Sequence, residues 1–347
     1  MQKRIIGKRN SYVFDFEIPE SDENTPSDLG QLFHGKCEQT SKLVMVRYIK
    51  NQKLIFGQQH IEVINTIFEG LNQLHSGIVQ TYDCACDEDG FYIVREYLVG
   101  MTLQQIAFTG DYPHLRNPLF LLRVAEKVCE ILSVLHANKV IHRRIQPSNI
   151  FLVTNELGQI DTENPTVKLI NMEYAQINGQ NMLNFGTIPY TLYYSAPELV
   201  LQCGQLVNAS CDLFSLGISL YEAFAREHAF ICENDDKNLL LNMQLSYPLK
   251  RHHRIPKQIF PLIQKATTKH IFTSPPMRYK PEARTKFLYN AQVQRFQHAD
   301  DMKSAIHLLI QEFQQKKETS LFKKITSLFN NNSVSQSTSK GKHTSTQ

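Results

Sequence analysis

Short apolar runs rich in β-branched and aromatic residues characterise the first part of the chain. Residues 11–18 (SYVFDFEI), 31–37 (QLFHGKC) and 43–49 (LVMVRYI) have the length and composition of strands. An acidic, proline-containing stretch, ESDENTPSDLG, separates the first two runs. The pattern predicts a β-rich N-terminal region.

Helical spacing of apolar residues begins later in the chain. Asn117 and Pro118 form an N-cap and first-turn signal, and Ser210 is a plausible N-cap for the apolar stretch SCDLFSLGISLYEAF. Behind Asn117, one helix face carries Leu121, Val124, Val128, Ile131 and Leu135. Such a stripe is typical of a helix that packs into a core.

A polar loop flanked by apolar residues lies between these two helices, at residues 138–153 (NKVIHRRIQPSNIFLV). Val140 and Ile141 lead into a polar loop that contains Pro147, and an apolar run leads out from Ile150 to Val153. Strand-like segments on both sides hold this loop. We therefore expect the backbone of this loop to be rigidly placed and its reactive side chains to be exposed.

Composition narrows the classes of protein. The 347 residues are 42% hydrophobic and 20% charged, as in ordinary globular proteins. No apolar run reaches the roughly 18 residues that span a bilayer, and the N-terminus lacks the apolar core of a signal peptide. We expect a cytoplasmic protein, or one secreted without a cleavable signal.

Charge and cysteine content exclude two further classes. A net charge of +4 is too small to indicate nucleic-acid binding. The seven cysteines are scattered, which predicts free thiols rather than a disulfide framework or a zinc site. We predict no metal site.

The central loop resembles a known family. His142, Arg143, Pro147 and Asn149 stand in the order and spacing of H-R-D-x-K-P-x-N, so the chain resembles the eukaryotic-type Ser/Thr protein kinase superfamily. The resemblance implies an α+β, bilobed protein-kinase-like fold with a small β-rich N-lobe and a larger helical C-lobe. We place the N-lobe at residues 11–98 and the C-lobe at 99–312, between an extension (1–10) and a tail (313–347).

The loop departs from the family at the residues that carry the chemistry. The resemblance places Arg144 where the family has the Asp that accepts the substrate hydroxyl proton, and Gln146 where it has the phosphate-contacting Lys. A guanidinium is always charged and cannot accept a proton.

The positions that correspond to the nucleotide pocket are also altered. Of the three loop glycines only Gly30 is present, with Thr25 and Ser27 at the other two positions. Arg47 replaces the phosphate-binding Lys, and Ile67 falls where its helix Glu partner would be. Three further residues belong to the degenerate pocket: Met45 against the adenine slot, Arg95 at the gatekeeper position, and Tyr97 in the hinge.

Asn171, Met172 and Glu173 stand where the family has D-F-G. A neutral amide oxygen is a poor exchange for the carboxylate that binds magnesium. Asn149 stands at the family's other metal-ligand position, so both ligands would be neutral amides. We therefore expect ATP and magnesium to bind weakly or not at all. Because Arg47, Arg95 and Arg144 all map to the cleft, we expect Glu173 to lie within salt-bridge reach of Arg47 or Arg95.

Structural residues of the family are present. Ala196, Pro197 and Glu198 match A-P-E, and the resemblance implies a buried pair between Glu198 and Arg295. It also implies that Asp212 anchors the backbone of the central loop. In the loop before A-P-E, Thr187, Tyr190 and Thr191 are either solvated hydroxyls or phosphorylation sites.

These changes favour a pseudokinase, a catalytically inactive regulatory or scaffolding module with a protein partner. One alternative is an atypical kinase, or another ATP-dependent transferase on the same fold, that uses displaced groups such as Glu173, Asp161 or Glu163. Another is a metal-free pocket for an anion or nucleotide.

Two segments near the C-terminus remain open in function. The insertion 271–293, rich in Pro, Arg, Lys and aromatics, is either a variable surface loop or a basic docking surface. Residues 316–330 are amphipathic and suit weak contact with a membrane or a partner groove. Their apolar side carries Leu321, Phe322, Ile325, Leu328 and Phe329. The remainder, NNNSVSQSTSKGKHTSTQ, is polar and is predicted to be disordered.

Overall fold

Two lobes of different secondary structure make up the part of the chain that the computed structural model describes. The described residues are 2–15, 30–50, 59–109, 111–183, 187–232 and 236–337, with the backbone alone at 59–60, 317 and 320–337.

An antiparallel sheet forms the N-terminal lobe, and within the described residues it has six strands in the order β1-β2-β3-β4-β6-β5. The strands are β1 (Gln2–Ile6), β2 (Ser11–Asp15), β3 (Gln31–Cys37), β4 (Leu43–Lys50), β5 (Thr81–Cys86) and β6 (Gly90–Glu96). Helix α1 (Gln59–Leu74) packs against β5. The sheet has a separate apolar cluster that includes Ile5, Tyr12, Phe14 and Tyr92.

Helices dominate the second lobe. They are α2 (Leu103–Phe108), α3 (Pro118–Ala137), α4 (Pro197–Val200), α5 (Ala209–Ala225), α6 (Lys237–Ser246), α7 (Phe260–Ala266), α8 (Pro281–Gln292) and α9 (Ala299–Ser337). Helix α3 packs against both α5 and α9, and its predicted stripe is buried in the main core. The side chain of Asn117 accepts a hydrogen bond from Phe120 N, as the predicted N-cap requires.

Short strands position the loops at the junction of the lobes. They are β7 (Gly100–Thr102), β8 (Val140–Ile141), β9 (Ile150–Val153), β10 (Thr166–Leu169), β11 (Gln176–Ile177) and β12 (Gln180–Asn181). The described strands pair as β10-β9-β7 and β12-β11-β8. The central loop therefore runs from β8 to β9, as expected, and the α+β bilobed fold is confirmed.

The N-terminal boundary differs from the expectation. Residues 2–6, assigned to an extension, form β1 and pair with β2 from Gln2↔Asp15 to Ile6↔Ser11. Asp83 on β5 holds the intervening turn, since its carboxylate accepts hydrogen bonds from Lys8 N (2.8 Å) and Arg9 N (2.9 Å). Sequence alone did not show this strand because only Ile5 of QKRII is buried. The first predicted strand ends at Asp15, and residues 16–18 lie outside the described part.

The N-cap of α5 also lies two residues before the predicted one. The helix begins at Ala209, and the N-cap is Asn208, whose side chain accepts a hydrogen bond from Ser210 N at 2.9 Å. The prediction of Ser210 as the cap was wrong because Asn, an equally good capping residue, precedes it.

The insertion 271–293 is a packed segment rather than a loop. Phe272 and Leu288 are buried with Cys203 and Leu206, and the Phe287 ring stacks on His270 with centroids 4.4 Å apart. Its exposed basic side chains are those of Arg278, Lys280 and Lys286. A docking role for this surface stays a prediction.

Helix α9 extends beyond the expected end of the domain at residue 312. Its backbone continues through the amphipathic segment to Ser337, so residues 330–337 are helical where the composition predicts disorder. Residues 338–347 lie outside the described part. Among the described helices, none is long and apolar enough to cross a membrane.

All seven cysteines are free thiols, as predicted. Five of them are buried, and Cys86 and Cys232 are half-buried.

Candidate functional site

Asp212 anchors the backbone of the central loop. Its buried carboxylate accepts hydrogen bonds from His142 N (2.9 Å) and Arg143 N (2.7 Å), and lies 2.9 Å from His136 Nε2. Burial opposes its ionisation, but these hydrogen bonds outweigh burial and keep the pKa of Asp212 below its usual value. The expected anchoring role of Asp212 is confirmed.

Arg143 is enclosed within the loop. Its Nε donates to Tyr174 O at 2.7 Å and its Nη1 to Asn181 Oδ1 at 2.7 Å. The side chain is buried, and its backbone has a φ of 60°. Arg143 therefore ties the central loop to β12 and to the segment that follows β10.

The family resemblance predicts Arg144 at the position of the proton acceptor. Its backbone is fixed on both sides, since Arg144 N donates to His142 Nδ1 (3.2 Å) and Arg144 O accepts from Asn149 Nδ2 (2.8 Å). Its Cζ lies 4.4 Å from the centroid of the Tyr174 ring, a cation–π contact. The guanidinium is thus held in place and remains a donor of hydrogen bonds only.

Asn171 lies at the centre of the cleft and is fully engaged. Its Oδ1 accepts hydrogen bonds from Arg47 Nη2 (2.7 Å) and Arg95 Nη1 (2.6 Å), and its Nδ2 donates to Asn149 Oδ1 (2.7 Å). All four side chains are buried. The backbone of Asn171 is left-handed, with a φ of 65°, a conformation that Asn tolerates better than most residues.

Glu173 balances one of the two cleft arginines. Its Oε1 lies 3.2 Å from Arg47 Nε, and both side chains are nearly inaccessible to solvent. The expected pairing of Glu173 with Arg47 or Arg95 is confirmed. On α1, Ile67 packs against the main core, while Glu69 pairs with Arg9 at 2.7 Å instead of with a cleft residue.

Neighbouring strands bring the other pocket residues together. Met45 on β4 is directly opposite His34 on β3 and Arg95 on β6. The His34 and Tyr97 rings meet edge to face with centroids 5.4 Å apart. Met45 is buried, and the register places it beside Arg95, the residue predicted at the gatekeeper position.

Gly30 stands just before β3 with a φ of 75°. A Cβ there would lie 1.8 Å from Tyr48 O, so the position requires glycine for structural reasons. The corresponding Thr25 and Ser27 lie outside the described residues.

Glu198 and Arg295 form the buried pair that the resemblance implies. Arg295 Nη1 and Nη2 lie 2.6 Å and 3.1 Å from Glu198 Oε1 and Oε2, a forked contact. Gln292 Nε2 also donates to Glu198 Oε1, at 2.9 Å. The pair holds α4, which closely follows the segment 187–195. We call this segment the cavity loop, because it lines the cavity described next.

A cavity of about 770 Å³ lies between the cavity loop, the central loop, α2 and α6. Arg144, Gln146 and Ser148 line it from the central loop, and Lys237 lines it from α6. Thr187, Tyr190 and Thr191, the hydroxyl residues singled out in the sequence, also line it. Sequence reasoning located these residues but not the cavity, since no motif places α6 opposite the central loop.

Comparison with known proteins agrees with this architecture. Residues 28–329 match the protein kinase domain. The chain is similar to the serine/threonine-protein kinase PrkC of Bacillus subtilis, with 27% identity over 201 residues that are 57% of this chain and 29% of that protein. It is also similar to the serine/threonine-protein kinase PknB of Mycobacterium leprae, with 28% identity over 217 residues, 60% of this chain and 32% of PknB.

The chain spans less than a third of the length of these relatives. The match to the domain itself covers most of the chain, from before β3 to within α9. The chain belongs to the protein kinase family.

Proposed function

We propose that this chain is a pseudokinase, a kinase fold that acts as a regulatory or scaffolding module without transferring phosphate. The observation that carries the proposal is the engagement of Asn171 Oδ1 by two guanidinium groups, at 2.7 Å from Arg47 and 2.6 Å from Arg95. This is the atom at the family's metal-binding position.

The residues at that position do not fit a magnesium ion. A dication bound to Asn171 Oδ1 would have to displace two cationic donors, or lie against them in a buried site where charge repulsion is weakly screened. Asn149 Oδ1, at the second metal position, accepts from Asn171 Nδ2. Magnesium also prefers carboxylate oxygens, and the described residues contain no cluster of three or more His, Cys, Asp or Glu side chains suited to a metal.

Proton transfer has no acceptor at the usual place. Arg144 cannot act as a general base, and loss of a positioned base typically slows a reaction by about 10²–10⁴-fold. Phosphoryl transfer relies on positioning and on metal electrostatics, so loss of the metal site adds to this deficit. Together these changes support an inactive fold better than a slow enzyme.

The displaced groups of an atypical kinase or transferase are engaged elsewhere. Asp161 Oδ1 accepts hydrogen bonds from Glu163 N (2.8 Å) and Asn164 N (3.0 Å), and Glu163 forms a salt bridge with Arg123 on α3. Glu173 Oε2 is buried without a hydrogen-bond partner among the described residues. It is therefore the best remaining ligand candidate, but Glu173 Oε1 already contacts the Arg47 guanidinium.

The alternative of an anion or nucleotide pocket in the interlobe cleft receives less support. Glu173 neutralises one of the two cleft arginines, and both arginines donate to Asn171. One of these two charges is thus neutralised within the protein, and donors of both guanidinium groups are already used there. Weak or absent ATP binding follows as part of the proposal.

The test combines transfer and binding measurements on the full chain. We expect no transfer of label from γ-labelled ATP to the chain or to a generic protein substrate, and no thermal shift with ATP in the presence or absence of magnesium or manganese. The Glu173→Gln and Asn171→Ala variants are the matched controls. Stoichiometric labelling that disappears in Asn171→Ala would overturn the proposal, and a metal-independent shift with ATP would favour the anion pocket.

A further inference from the structure

Three arginines meet at the C-terminal end of α5. Arg226 directly follows Ala225, the last residue of that helix. Arg254 Nη1 donates a hydrogen bond to Ala225 O at 2.8 Å. Arg116 Nε donates to Ile106 O at 2.7 Å, in the helix α2 that packs against α5. Three separate segments of the C-lobe thus each contribute one guanidinium group to what we call the arginine cluster.

The charges of the arginine cluster act on one another. Partial burial and the charges of Arg116 and Arg254 lower the pKa of Arg226 below its usual value. Within the described part of the chain, no acidic side chain forms a salt bridge with any of the three. An anion bound among these guanidinium groups would relieve their mutual repulsion.

The two acids at this end of α5 have other partners. Glu227 Oε1 lies 2.5 Å from His252 Nε2. Glu222 is buried, and its carboxylate accepts a hydrogen bond from Tyr194 Oη at 2.6 Å and lies 3.0 Å from His228 Nδ1. Both carboxylates are therefore paired with tyrosine or histidine instead of with the arginine cluster.

The backbone of Arg226 is strained. Its φ is 61°, in the left-handed region where a helix commonly ends on glycine. A side chain with a Cβ is disfavoured in this conformation, and strain of this kind concentrates at functional sites. An arginine held there against the preference of the backbone favours a role for its guanidinium group.

The arginine cluster offers hydrogen-bond donors in a fixed arrangement. The bonds of Arg254 to Ala225 O and of Arg116 to Ile106 O each use one of the five N–H groups of a guanidinium. Arg116 Nη2 is buried without a hydrogen-bond partner among the described residues. Side chains that are already held in place lose less entropy when a ligand binds. Guanidinium forks match the oxygens of a phosphate, which carries nearly two negative charges as a monoester.

From these observations we propose that the arginine cluster binds a phosphoserine of a partner polypeptide. Guanidinium groups that converge on one place suit a single phosphate, and the adjoining segment 250–257, KRHHRIPK, suits acidic residues that flank it. The proposal gives the chemistry of the partner in the proposed regulatory or scaffolding role, and rests on that role.

The proposed site is separate from the central loop. Asp212, which anchors that loop, is in the first turn of α5, and the arginine cluster is at the other end of the helix. With a rise of 1.5 Å per residue, the two ends are about 20 Å apart.

Binding is measured by fluorescence anisotropy on the full chain. The labelled peptides carry random flanking residues around a central phosphoserine, aspartate or serine. We expect the phosphoserine peptides to bind about tenfold or more tightly than the other two, and to bind more weakly as NaCl is raised. Vesicles that contain phosphatidylserine are the second probe, because a lipid surface also presents phosphate groups. We expect wild type and Arg226→Gly to behave alike towards these vesicles.

Two variants locate the site. Arg226→Gly removes a cation and relieves the left-handed backbone, so it should fold at least as stably as wild type. It should weaken binding of the phosphoserine peptides by about tenfold or more, and so should Arg254→Gln. The matched control is Lys139→Gly just before β8, because Lys139 is also an exposed cation with a positive φ, 56°. This control should leave peptide binding unchanged.

Equal binding of the phosphoserine peptides by wild type and Arg226→Gly would overturn the proposal. So would equal binding of the aspartate peptides, or no binding of any peptide. Vesicle binding that is lost in Arg226→Gly, without peptide binding, would assign the arginine cluster to a lipid surface instead. Because none of these measurements involves ATP, a chain that binds the peptides and also transfers label would contradict the pseudokinase proposal alone.

Discussion

Arg47 Nε and Glu173 Oε1 lie 3.2 Å apart in a salt bridge whose two side chains are almost completely buried. The bridge joins β4 of the N-lobe to the segment after β10 in the C-lobe. An ion pair therefore connects the two lobes across the cleft.

Removal of one member of this pair should destabilise the fold strongly. We expect Arg47→Met and Glu173→Leu each to lower the free energy of unfolding by about 3–5 kcal/mol, because each leaves a buried charge without its partner. The double variant should recover much of this loss. Urea denaturation of the three variants measures the coupling. Glu312→Gln, which breaks an exposed pair with Lys316, should cost less than about 1 kcal/mol, and additive single effects would contradict the expectation.

Arg295→Lys should be destabilising although the charge is kept. Lysine cannot reproduce the forked contact with Glu198 or the bond from Arg295 Nε to Thr268 O at 2.7 Å. We expect a loss of about 3 kcal/mol in unfolding free energy, towards the lower end for a broken buried pair. Arg278→Lys, at an exposed position, is the control for the substitution itself. A melting temperature that is equal in both variants would refute the importance of the fork.

Lys269 should give the protein a measurable dependence on alkaline pH. Burial, with a smaller contribution from the Arg295 charge, lowers the pKa of Lys269 to about 7 from 10.5. Between these values the unfolded chain binds more protons than the folded chain, so this residue makes stability rise with pH from about 7 towards 10. Chemical denaturation at several pH values measures the slope.

Lys269→Met should remove that part of the slope. The matched control is Lys265→Met, because Lys265 Nζ lies 4.3 Å from the Phe296 ring centroid just as Lys269 Nζ lies 4.3 Å from that of Phe230, but Lys265 is exposed. Identical slopes in Lys269→Met and wild type would show that Lys269 does not titrate in this range.

Asp83→Asn should loosen the N-terminal strand. The Asp83 carboxylate accepts hydrogen bonds from the backbone amides of Lys8 and Arg9, and also from Asn10 N at 3.3 Å. In the asparagine variant one acceptor oxygen becomes an NH2 group, which faces some of these backbone N–H donors and cannot accept from them. Hydrogen exchange of residues 2–10 should accelerate by about tenfold or more, in line with a charge-assisted bond of 1.5–3 kcal/mol. Glu88→Gln, on the adjoining exposed turn, should leave this exchange unchanged. If both variants exchanged alike, the carboxylate would not be what holds the turn.

Residue patterns were sufficient to predict the two lobes, the position of the central loop and two ion pairs. Arg295 and Glu198 follow from the family resemblance. Glu173 and Arg47 follow from a physical argument, since several buried cations in one cleft require an acid and Glu173 is the acid at hand. Both arguments use short motifs that occur in the sequence in the same order as in the family.

The missed features depend on contacts between distant residues. Asp83 is separated by more than seventy positions from the turn it binds, and nothing in TYDCAC indicates which way its carboxylate points. Gln244 bonds to Tyr193 N in the cavity loop, and Lys237 lines the same cavity, only because α6 packs there. Asn171 is an intermediate case, because its position was clear but its hydrogen bonds with Arg47 and Arg95 required the register of β4 and β6.

The first strand has a practical consequence for handling the protein. A recombinant fragment that starts at residue 11 would lack Ile5, which packs in one cluster with Tyr12 and Phe14. It would also leave β2 as an edge strand whose backbone N–H and C=O groups are unpaired on one side. Unprotected edges of this kind recruit strands from other molecules. Such a fragment is expected to self-associate, and a purification tag is better fused after α9 than in place of the opening residues.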